Sequence, residues 1–345
     1  MLQTFMYAPG DVRVEEAPVP HVNKPTDAVI RVVRACVCGS DLWPFRGIEK
    51  PYENGPVTMG HEYIGEIVEL GTSVTGLKKG DFVVGSFATS DGTCPICQAG
   101  YPSDCVHRDF VGAAQAQYLR VSNAEGTLVR VGDGSTPDED LFPSLLAASD
   151  VFGTGYYGAW AADVTPHTDT AVVVGDGAVG LEAVLSAKML GAKHVIAMSR
   201  HEDRAAIARE FGADQIVAER GDEGIARIKQ LTDGLGAQSV VEAVGTQQSM
   251  TQAIGSTRRG GSVGFVGVSH DQSIDGEMLF FSAVHLHGGP APVRRWLPEL
   301  VDKIMHREIN PGRVFTEELP LEKAAQAYRD MDERREIKVM LNPWA

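Results

Sequence analysis

Apolar residues follow two different patterns along the chain, and the change between them divides it. Before about residue 150, the β-branched run Val29–Val33 and the alternating segment His61–Leu70 are separated by turns rich in glycine and proline. This pattern predicts β structure with irregular loops. From about Gly153 to Gly288, strand-like runs alternate with helical periodicities, which is typical of a doubly wound parallel α/β domain.

The second pattern is regular enough to predict individual elements. Strands are expected at 171–174, 194–198, 239–243 and 262–266, and helices at 179–190, 202–211 and 247–257. The remaining residues return to mixed character, with helices near 293–307 and 321–332 and a strand at 337–341. No long repeat, low-complexity tract or flexible linker interrupts this order, so we expect tight domain junctions.

The strand at 171–174 runs directly into a glycine-rich turn with the spacing G-x-G-x-x-G. The first glycine allows the tight turn, the second lets the backbone approach a pyrophosphate, and the third lets helix and strand pack closely. The N-terminus of the following helix offers free N–H groups to the anion. The alternative is a glycine turn that binds nothing. The predicted cofactor-binding positions of this turn are Gly175, Gly177, Ala178, Val179 and Gly180.

Composition narrows the class of protein. A chain of 345 residues is long for one core, and 43% apolar with 22% charged residues is ordinary for a globular protein. A net charge of −15 argues against nucleic-acid or anionic-membrane partners. The start of the chain lacks a secretion signal, and no apolar run is long enough to span a membrane. These features predict a cytoplasmic protein.

Three separated residues carry candidate metal chemistry. Cys38 lies in the segment C-V-C-G-S-D (36–41), His61 lies in G-H-E-Y-I-G-E (60–66), and Asp150 precedes the dinucleotide domain. Each has an alternative interpretation when taken singly. Cys38 could be a small buried hydrophobe, His61 a core histidine, and Asp150 a helix N-cap.

The C-G-S-D motif precedes the G-H-E-x-x-G motif, and both precede the dinucleotide fold. With this arrangement the chain resembles the zinc-dependent alcohol dehydrogenases of the medium-chain dehydrogenase/reductase family. The resemblance covers nearly the whole length. It implies a GroES-like, β-rich catalytic domain (1–151 and 289–345) and a Rossmann domain (152–288). It also implies a catalytic Zn²⁺ with an open fourth position, bound by Cys38, His61 and Asp150, with Glu62 beside it as an occasional alternate ligand.

A second, compact group has the spacing Asp-x2-Cys-x2-Cys-x7-Cys. The resembling family often carries four cysteines here, on a protruding lobe that would span about residues 90–106. Because carboxylate oxygen is an acceptable zinc ligand, a closed structural zinc site is expected. A metal-free lobe, or Asp91 acting only as a turn cap, stays open. The expected ligands are Asp91, Cys94, Cys97 and Cys105.

The second Rossmann strand ends in Ser199 and Arg200 rather than in the acidic residue that binds an NAD ribose. Serine can donate to a 2′-phosphate, and the arginine fork can pair with it. The sequence therefore favours NADP(H) over NAD(H). The resemblance implies further cofactor contacts at Thr154, Val244, Gly245, Val266, Gly267 and Lys338.

The resemblance assigns the first step of a proton relay to the Ser40 hydroxyl. A histidine that commonly continues the relay is replaced by Trp43, whose indole cannot shuttle protons. The implied substrate is a small alcohol, aldehyde or ketone, and the implied assembly is a homodimer or homotetramer with Gly264–Ser269 as a candidate edge strand. Two alternatives stay open, namely an NAD-linked polyol dehydrogenase and a catalytically silent nucleotide-binding protein.

Overall fold

The computed structural model describes residues 1–345 and divides them into two compact units. Unit 1 comprises Met1–Gly153 and Pro292–Ala345, and unit 2 comprises Thr154–Ala291. The divisions fall two or three residues after the boundaries expected from the sequence. The architecture is mixed α/β, with the β-rich part in unit 1 and the alternating part in unit 2.

The strands follow the two patterns of the sequence. In chain order they are β1 (Leu2–Ala8), β2 (Asp11–Glu16), β3 (Ala28–Cys36), β4 (Val57–Thr58), β5 (Tyr63–Leu70), β6 (Phe82–Gly85), β7 (Tyr118–Val121), β8 (Leu128–Arg130), β9 (Thr170–Val174), β10 (His194–Met198), β11 (Gln215–Val217), β12 (Ala237–Glu242), β13 (Thr257–Phe265), β14 (His285–Gly288), β15 (Glu317–Pro320) and β16 (Val339–Asn342).

The α-helices lie mostly in the second half of the chain. In order they are α1 (Leu42–Phe45), α2 (Pro95–Gln98), α3 (Ala124–Thr127), α4 (Phe142–Ala148), α5 (Val151–Ala161), α6 (Ala178–Met189), α7 (Glu202–Glu210), α8 (Gly221–Leu231), α9 (Gln247–Ser256), α10 (Gly276–Ser282), α11 (Val293–Met305) and α12 (Ala324–Asp332).

Unit 2 is built on one six-stranded parallel sheet with the order β11-β10-β9-β12-β13-β14. Renumbered within the unit, this is the 3-2-1-4-5-6 order of a Rossmann fold, which binds a dinucleotide where the strand order reverses. The reversal lies between β9 and β12, so the glycine turn after β9 is at the switch point. Apolar side chains of β9, β12 and α9 form the core beneath it.

Unit 1 holds a seven-stranded, mostly antiparallel sheet and a three-stranded sheet of order β2-β1-β4. In the larger sheet, β3 pairs with β5, β7 and β16. Ile30, Tyr63 and Ile67 are fully buried in its core. This pairing matters for function, because it brings the end of β3 and the start of β5 close together, and each carries a candidate metal ligand beside it.

The expected edge strand is wrong. Gly264 lies in β13, which pairs on one side with β12 and on the other with β14. The edge of the sheet is β14, which the sequence analysis left unassigned because its short polar run has neither strand alternation nor helical period. The helix that precedes β14 in the chain, α10, exposes Phe280 and Phe281, at 79% and 64% of their surface.

None of the helices combines the length and the apolar character needed to cross a lipid bilayer.

Candidate active site, metal centres and dinucleotide site

The separated metal-binding candidates converge within unit 1. Cys38 follows β3, His61 and Glu62 precede β5, and Asp150 lies between α4 and α5. One donor atom from each of these four residues lies within 4.8 Å of the others. The group therefore has the donor types of a zinc site, namely a thiol, an imidazole and carboxylates.

The spacing of three donors matches a tetrahedral zinc ion. Ordinary Zn–S, Zn–N and Zn–O bond lengths place the donor atoms about 3.3 Å (N to O) and about 3.5 Å (S to O) apart. His61 Nε2 lies 3.2 Å from Asp150 Oδ2, and Cys38 Sγ lies 3.8 Å from the same oxygen. The residues present would therefore hold zinc with little movement.

Asp41 orients two of these ligands. Its Oδ1 lies 3.4 Å from His61 Nδ1, and its Oδ2 accepts the backbone N–H of Cys38 at 2.9 Å. A carboxylate on the far ring nitrogen of a histidine selects the tautomer that presents Nε2 to a metal. The sequence analysis did not assign this role to Asp41, although it lies in the C-G-S-D motif.

Two further residues hold Asp41 in position through hydrogen bonds. Gln115 Nε2 donates to Asp41 Oδ2 at 3.2 Å and to the carbonyl oxygen of Cys36 at 3.1 Å. The Tyr328 hydroxyl donates to Gln115 Oε1 at 3.3 Å, and all three side chains are buried. No local sequence pattern marks Gln115 or Tyr328, because their partners lie far away along the chain.

Glu62 forms a buried ion pair. Lys338 Nζ donates to Glu62 Oε1 at 2.6 Å and to the carbonyl oxygen of Val37 at 3.2 Å, and each charged side chain is 1% exposed. The second oxygen of the same carboxylate, Glu62 Oε2, is buried without a hydrogen-bond partner. Glu62 also belongs to the group of candidate metal ligands. A buried carboxylate oxygen without a partner fits a bound cation at this place.

This pairing corrects the expected role of Lys338. The resemblance assigned it to the cofactor phosphates, but its ammonium group is fully buried and hydrogen bonded to Glu62. Burial alone would lower the pKa of Lys338, but the surrounding acidic groups raise it well above its usual range. Lys338 is therefore a charged neighbour of the metal site.

The charges around His61 also favour a bound cation. Burial by itself would lower the pKa of the imidazole, but Asp41, Cys38 and Asp150 raise it well above its ordinary value. Several acidic groups that are buried close together are unfavourable unless a positive charge balances them. A divalent ion would supply that charge.

Ser40 lies at the edge of this group. Its Oγ is 3.5 Å from His61 Nε2, and the residue is partly exposed. Trp43 packs instead against Arg46, whose guanidinium carbon lies 5.9 Å from the ring centroid. On another side, the Phe87 ring meets His61 edge-on at 6.3 Å. Phe87 therefore forms an apolar side of the candidate metal site, and the sequence analysis did not identify it.

The second metal-binding group is equally compact. Cys94 Sγ lies 3.5 Å from Cys97 Sγ and 3.9 Å from Cys105 Sγ, while Cys97 Sγ lies 3.6 Å from Asp91 Oδ1. Donors on a tetrahedral zinc are expected about 3.8 Å (S to S) and about 3.5 Å (S to O) apart. The backbone N–H of Cys97 lowers the pKa of the Cys94 thiol to about 7, whereas burial raises the pKa of the Cys97 thiol to about 12.

Asp91 serves the lobe in two ways. Its Oδ1 accepts the backbone N–H groups of Thr93 and Cys94, so it does cap a turn. Its Oδ2 also lies 2.7 Å from Nδ1 of His107. The His107 hydrogen bond is the largest cause of an Asp91 pKa well below its usual range. A carboxylate kept ionised beside three thiols is a suitable fourth ligand.

The dinucleotide turn has the geometry that its glycines predict. Gly175 has a φ of +124°, which disfavours any side chain. A Cβ at Gly180 would collide with the Gly175 carbonyl oxygen, whereas a Cβ at Gly177 would meet nothing within 4 Å. Gly177 is thus the position open to a ligand. The backbone N–H groups of Ala178 and Val179 begin α6, which is 12 residues long.

Asp176 adds an unexpected charge to this turn. The Ser199 hydroxyl donates to Asp176 Oδ2 at 2.7 Å, so its proton is used within the protein rather than left for a 2′-phosphate. Arg204 and Arg220 each place a guanidinium nitrogen 3.9 Å from the Asp176 carboxylate. Arg204 also donates to the Asp176 carbonyl oxygen at 3.1 Å. The sequence analysis did not identify either arginine.

The remaining cofactor candidates lie at the carboxyl ends of β12 and β13. Val244 and Gly245 donate their backbone N–H groups to buried Glu242 Oε1, both at 2.9 Å, and Gly245 has a φ of +88°. Val266 donates its N–H to the Glu242 carbonyl oxygen at 2.8 Å, and Gly267 follows it in the chain. Thr154 is buried in α5. The contacts of these residues with a cofactor stay predictions.

Comparison with known proteins agrees with this architecture. The alcohol dehydrogenase GroES-like domain family matches residues 24–133, and the zinc-binding dehydrogenase family matches residues 178–303. A zinc-type alcohol dehydrogenase B of Aspergillus flavus is 35% identical over 99% of this chain and 81% of its own length. A probable zinc-binding alcohol dehydrogenase of Mycobacterium tuberculosis is also 35% identical, over 97% of this chain and 86% of its own.

Solved structures show the same fold. The alcohol dehydrogenase of Thermus sp. ATN1 superposes with a TM-score of 0.88 at 28% identity, covering 99% of both chains. A solved NAD-dependent alcohol dehydrogenase superposes at 0.83 with 27% identity, again over 99% of both chains. Whole-chain similarity, both family matches and the clustered ligand residues together show that this chain belongs to the zinc-dependent alcohol dehydrogenases of the medium-chain dehydrogenase/reductase family.

Proposed function

We propose that the protein transfers a hydride between NADP(H) and a small alcohol, aldehyde or ketone, with zinc bound by Cys38, His61 and Asp150. The observation that carries this proposal is the convergence of those three donors, which the chain brings together from distant segments. Zinc, when bound there, supplies Lewis acidity to a substrate oxygen. The nicotinamide carries the hydride chemistry itself.

The protein's own residues have distinct roles in this proposal. Asp41 keeps His61 in the tautomer that presents Nε2 to the metal. Lys338 balances the charge of Glu62, and Glu62 stands beside the three ligands as an alternate donor. Phe87 excludes water on one side of His61 and favours substrates with an apolar group.

Ser40 is proposed to exchange a proton with the substrate oxygen. We expect Ser40→Ala to lower kcat by ~10²-fold, the scale typical of a lost acid–base group. Steady-state kinetics of alcohol oxidation with zinc-loaded enzyme measures this. A matched control is Ser135→Ala, since Ser135 Oγ is hydrogen bonded to Asp133 on an exposed loop. Equal kcat in both variants would remove Ser40 from the reaction.

The charge near the end of β10 supports NADP(H) as the preferred cofactor. Arg200 directly follows Ser199, and Arg204 and Arg220 each place a guanidinium nitrogen 3.9 Å from the Asp176 carboxylate. Guanidinium groups favour the 2′-phosphate over a 2′-hydroxyl. Asp176 is also the observation that favours the alternative, because a carboxylate in this turn is able to accept a hydrogen bond from the ribose of NAD.

Exchanging Arg200 for glutamine decides between the two cofactors. We expect wild-type kcat/KM to be higher with NADPH than with NADH. Arg200→Gln should lower the NADPH value about 10-fold to 100-fold, as for a lost hydrogen bond to a charged group, and leave NADH nearly unchanged. Arg227→Gln on α8, where Arg227 is hydrogen bonded to Gln230, is the control. A wild-type preference for NADH would establish the NAD-linked alternative.

The lobe of unit 1 is proposed to hold a second, structural zinc ion on Asp91, Cys94, Cys97 and Cys105. Four protein ligands close the coordination sphere, which is typical of structural rather than catalytic zinc. For assembly, we propose a homodimer or homotetramer that joins through β14, because β14 is an open edge of its sheet and α10, which precedes it in the chain, exposes Phe280 and Phe281. Light scattering measures this oligomeric state directly.

A further inference from the structure

A carboxylate lies inside the glycine turn that follows β9. Asp176 stands between Gly175 and Gly177, in the turn that brings the backbone close to the phosphates of a dinucleotide. Its side chain is 11% exposed, so the charge is held among protein groups rather than in solvent. The G-x-G-x-x-G motif does not require an acidic residue at this position, and a carboxylate close to a phosphate repels it.

The Asp176 carboxylate contacts the residue that ends the second Rossmann strand. Its Oδ2 accepts a hydrogen bond from the hydroxyl of Ser199 at 2.7 Å, and Ser199, which directly follows β10, is buried. In a Rossmann fold, residues at this strand end recognise the 2′ group of the adenosine ribose. The carboxylate therefore uses a donor at the place where NAD and NADP differ.

Two arginines approach the same carboxylate without a hydrogen bond to it. Arg204 Nη1 lies 3.9 Å from Asp176 Oδ1, and Arg220 Nη2 lies 3.9 Å from Asp176 Oδ2. Each gap is about 1 Å longer than a charge-assisted hydrogen bond. Arg204 donates instead to the carbonyl oxygen of Asp176 at 3.1 Å. Both guanidinium groups are therefore attracted to the carboxylate without being fully paired by it.

The donors that face Asp176 are Ser199, Arg204 and Arg220. These three donors suit a phosphate better than a carboxylate, because a phosphate ester offers more acceptor oxygens and about two negative charges at pH 7. Arginine also pairs with phosphate through two parallel N–H groups. Since Asp176 already uses the donors, a 2′-phosphate has to compete with it. A 2′-hydroxyl carries no charge and meets no such competition.

We propose that Asp176 is a specificity-determining residue, whose carboxylate occupies the place of the 2′-phosphate among the three donors. NADP(H) binds by displacing the carboxylate from them, whereas NAD(H) binds without displacing it, so Asp176 selects against NADP(H). This role rests on the dinucleotide binding proposed above for unit 2. The arginines favour NADP(H) and Asp176 opposes it, and removing the single negative charge should shift the preference toward NADP(H).

Calorimetric titration of the zinc-loaded protein with adenosine 2′,5′-bisphosphate and with 5′-AMP, at constant ionic strength, isolates the effect of the 2′-phosphate. We expect Asp176→Asn to bind the bisphosphate at least about tenfold more tightly than the wild type does, the scale of one charge–charge contact near a protein surface. The affinity for 5′-AMP should stay within about twofold, because this nucleotide lacks the 2′-phosphate.

Asp169→Asn is the matched control, because Asp169 directly precedes β9 at the opposite end of the strand. Its exposed carboxylate lies 3.5 Å from Lys193 Nζ, and the substitution removes the same charge as Asp176→Asn does. Neither nucleotide affinity should change in this control. If Asp176→Asn fails to bind 5′-AMP, the same titrations of Asp176→Ala decide, because alanine removes the charge without introducing an amide.

A bisphosphate affinity that is unchanged or weaker in the neutral variants would overturn the proposal. A loss of 5′-AMP affinity in both variants would overturn it as well, because Asp176 would then bind the ribose directly. Failure of the NADP(H) preference gives a different result, namely a wild type that prefers NADH and still gains bisphosphate affinity in Asp176→Asn. A wild type that binds neither nucleotide would refute the dinucleotide site itself and this role with it.

Discussion

His61→Ala is expected to abolish turnover and to remove one zinc ion per chain, while the protein stays folded. The imidazole is one of the three donors of the proposed catalytic site, and its Nε2 lies 3.2 Å from Asp150 Oδ2. Without it, only the Cys38 thiolate and the Asp150 carboxylate remain of the three proposed ligands, and the alternate donor Glu62 is already paired with Lys338, so zinc should be held too weakly for a stable site. Atomic emission spectroscopy measures the zinc content, circular dichroism shows whether the protein is folded, and steady-state kinetics measures turnover.

The matched control for this experiment is His306→Ala, at the exposed end of α11. The His306 ring nitrogen Nδ1 lies 2.9 Å from the carbonyl oxygen and 3.5 Å from the carboxylate of Asp302 in the preceding helical turn, so loss of the ring should leave zinc content and kcat unchanged. If His61→Ala keeps its full zinc content and its activity, the ligand assignment is wrong. Chelation of the wild type should give the same loss of activity, and added Zn²⁺ should restore it. An inactive wild type with full zinc and both cofactors would support the silent alternative.

Lys338→Met is expected to lower the free energy of unfolding by about 3–5 kcal/mol, the usual result of leaving one member of a buried ion pair alone. Both charged groups of the pair are 1% exposed, and the 2.6 Å contact to Glu62 supplies the lysine with its main counter-charge. The methionine would fill the space of the lysine stem without offering any donor. Urea unfolding of the zinc-free protein, measured by fluorescence, reports the change.

Two further variants make the Lys338 experiment decisive. In Lys338→Met/Glu62→Gln no charge is left unpaired, so much of the lost stability should return. Lys303→Met removes an exposed lysine that is 3.5 Å from Glu308, and it should cost less than about 1 kcal/mol. Equal stability of Lys338→Met and Lys303→Met would show that the Glu62 contact contributes little. Zinc affinity in the double variant tests whether Glu62 tunes the metal site.

Much of unit 2 follows from local pattern. The strand predicted at 194–198 is β10, and the strand predicted at 171–174 is β9 less its first residue. The helix predicted to begin at 247 does so because Thr246 and Ser249 form a reciprocal capping box. Such signals lie within a few residues of the element they control, so a single sequence contains them in full.

The pairing of charged side chains could not be predicted in the same way. Lys338 was expected near cofactor phosphates, yet its partner is Glu62, 276 positions away along the chain. Ser199 was expected to donate to a 2′-phosphate, yet Asp176 accepts its proton. Arg204 and Arg220 escaped notice because arginines in helices and loops are common, and no spacing indicates that both approach one carboxylate.

By itself, the sequence determined the family, the Rossmann unit and the identity of the candidate metal-binding side chains, because periodicity and short motifs are local properties of a chain. The tertiary structure alone decided that Cys38 and Asp150, 112 positions apart, lie 3.8 Å from each other, and that β14 forms the sheet edge. These are consequences of how strands and helices pack, and long-range packing sets the electrostatic surroundings of each buried charge.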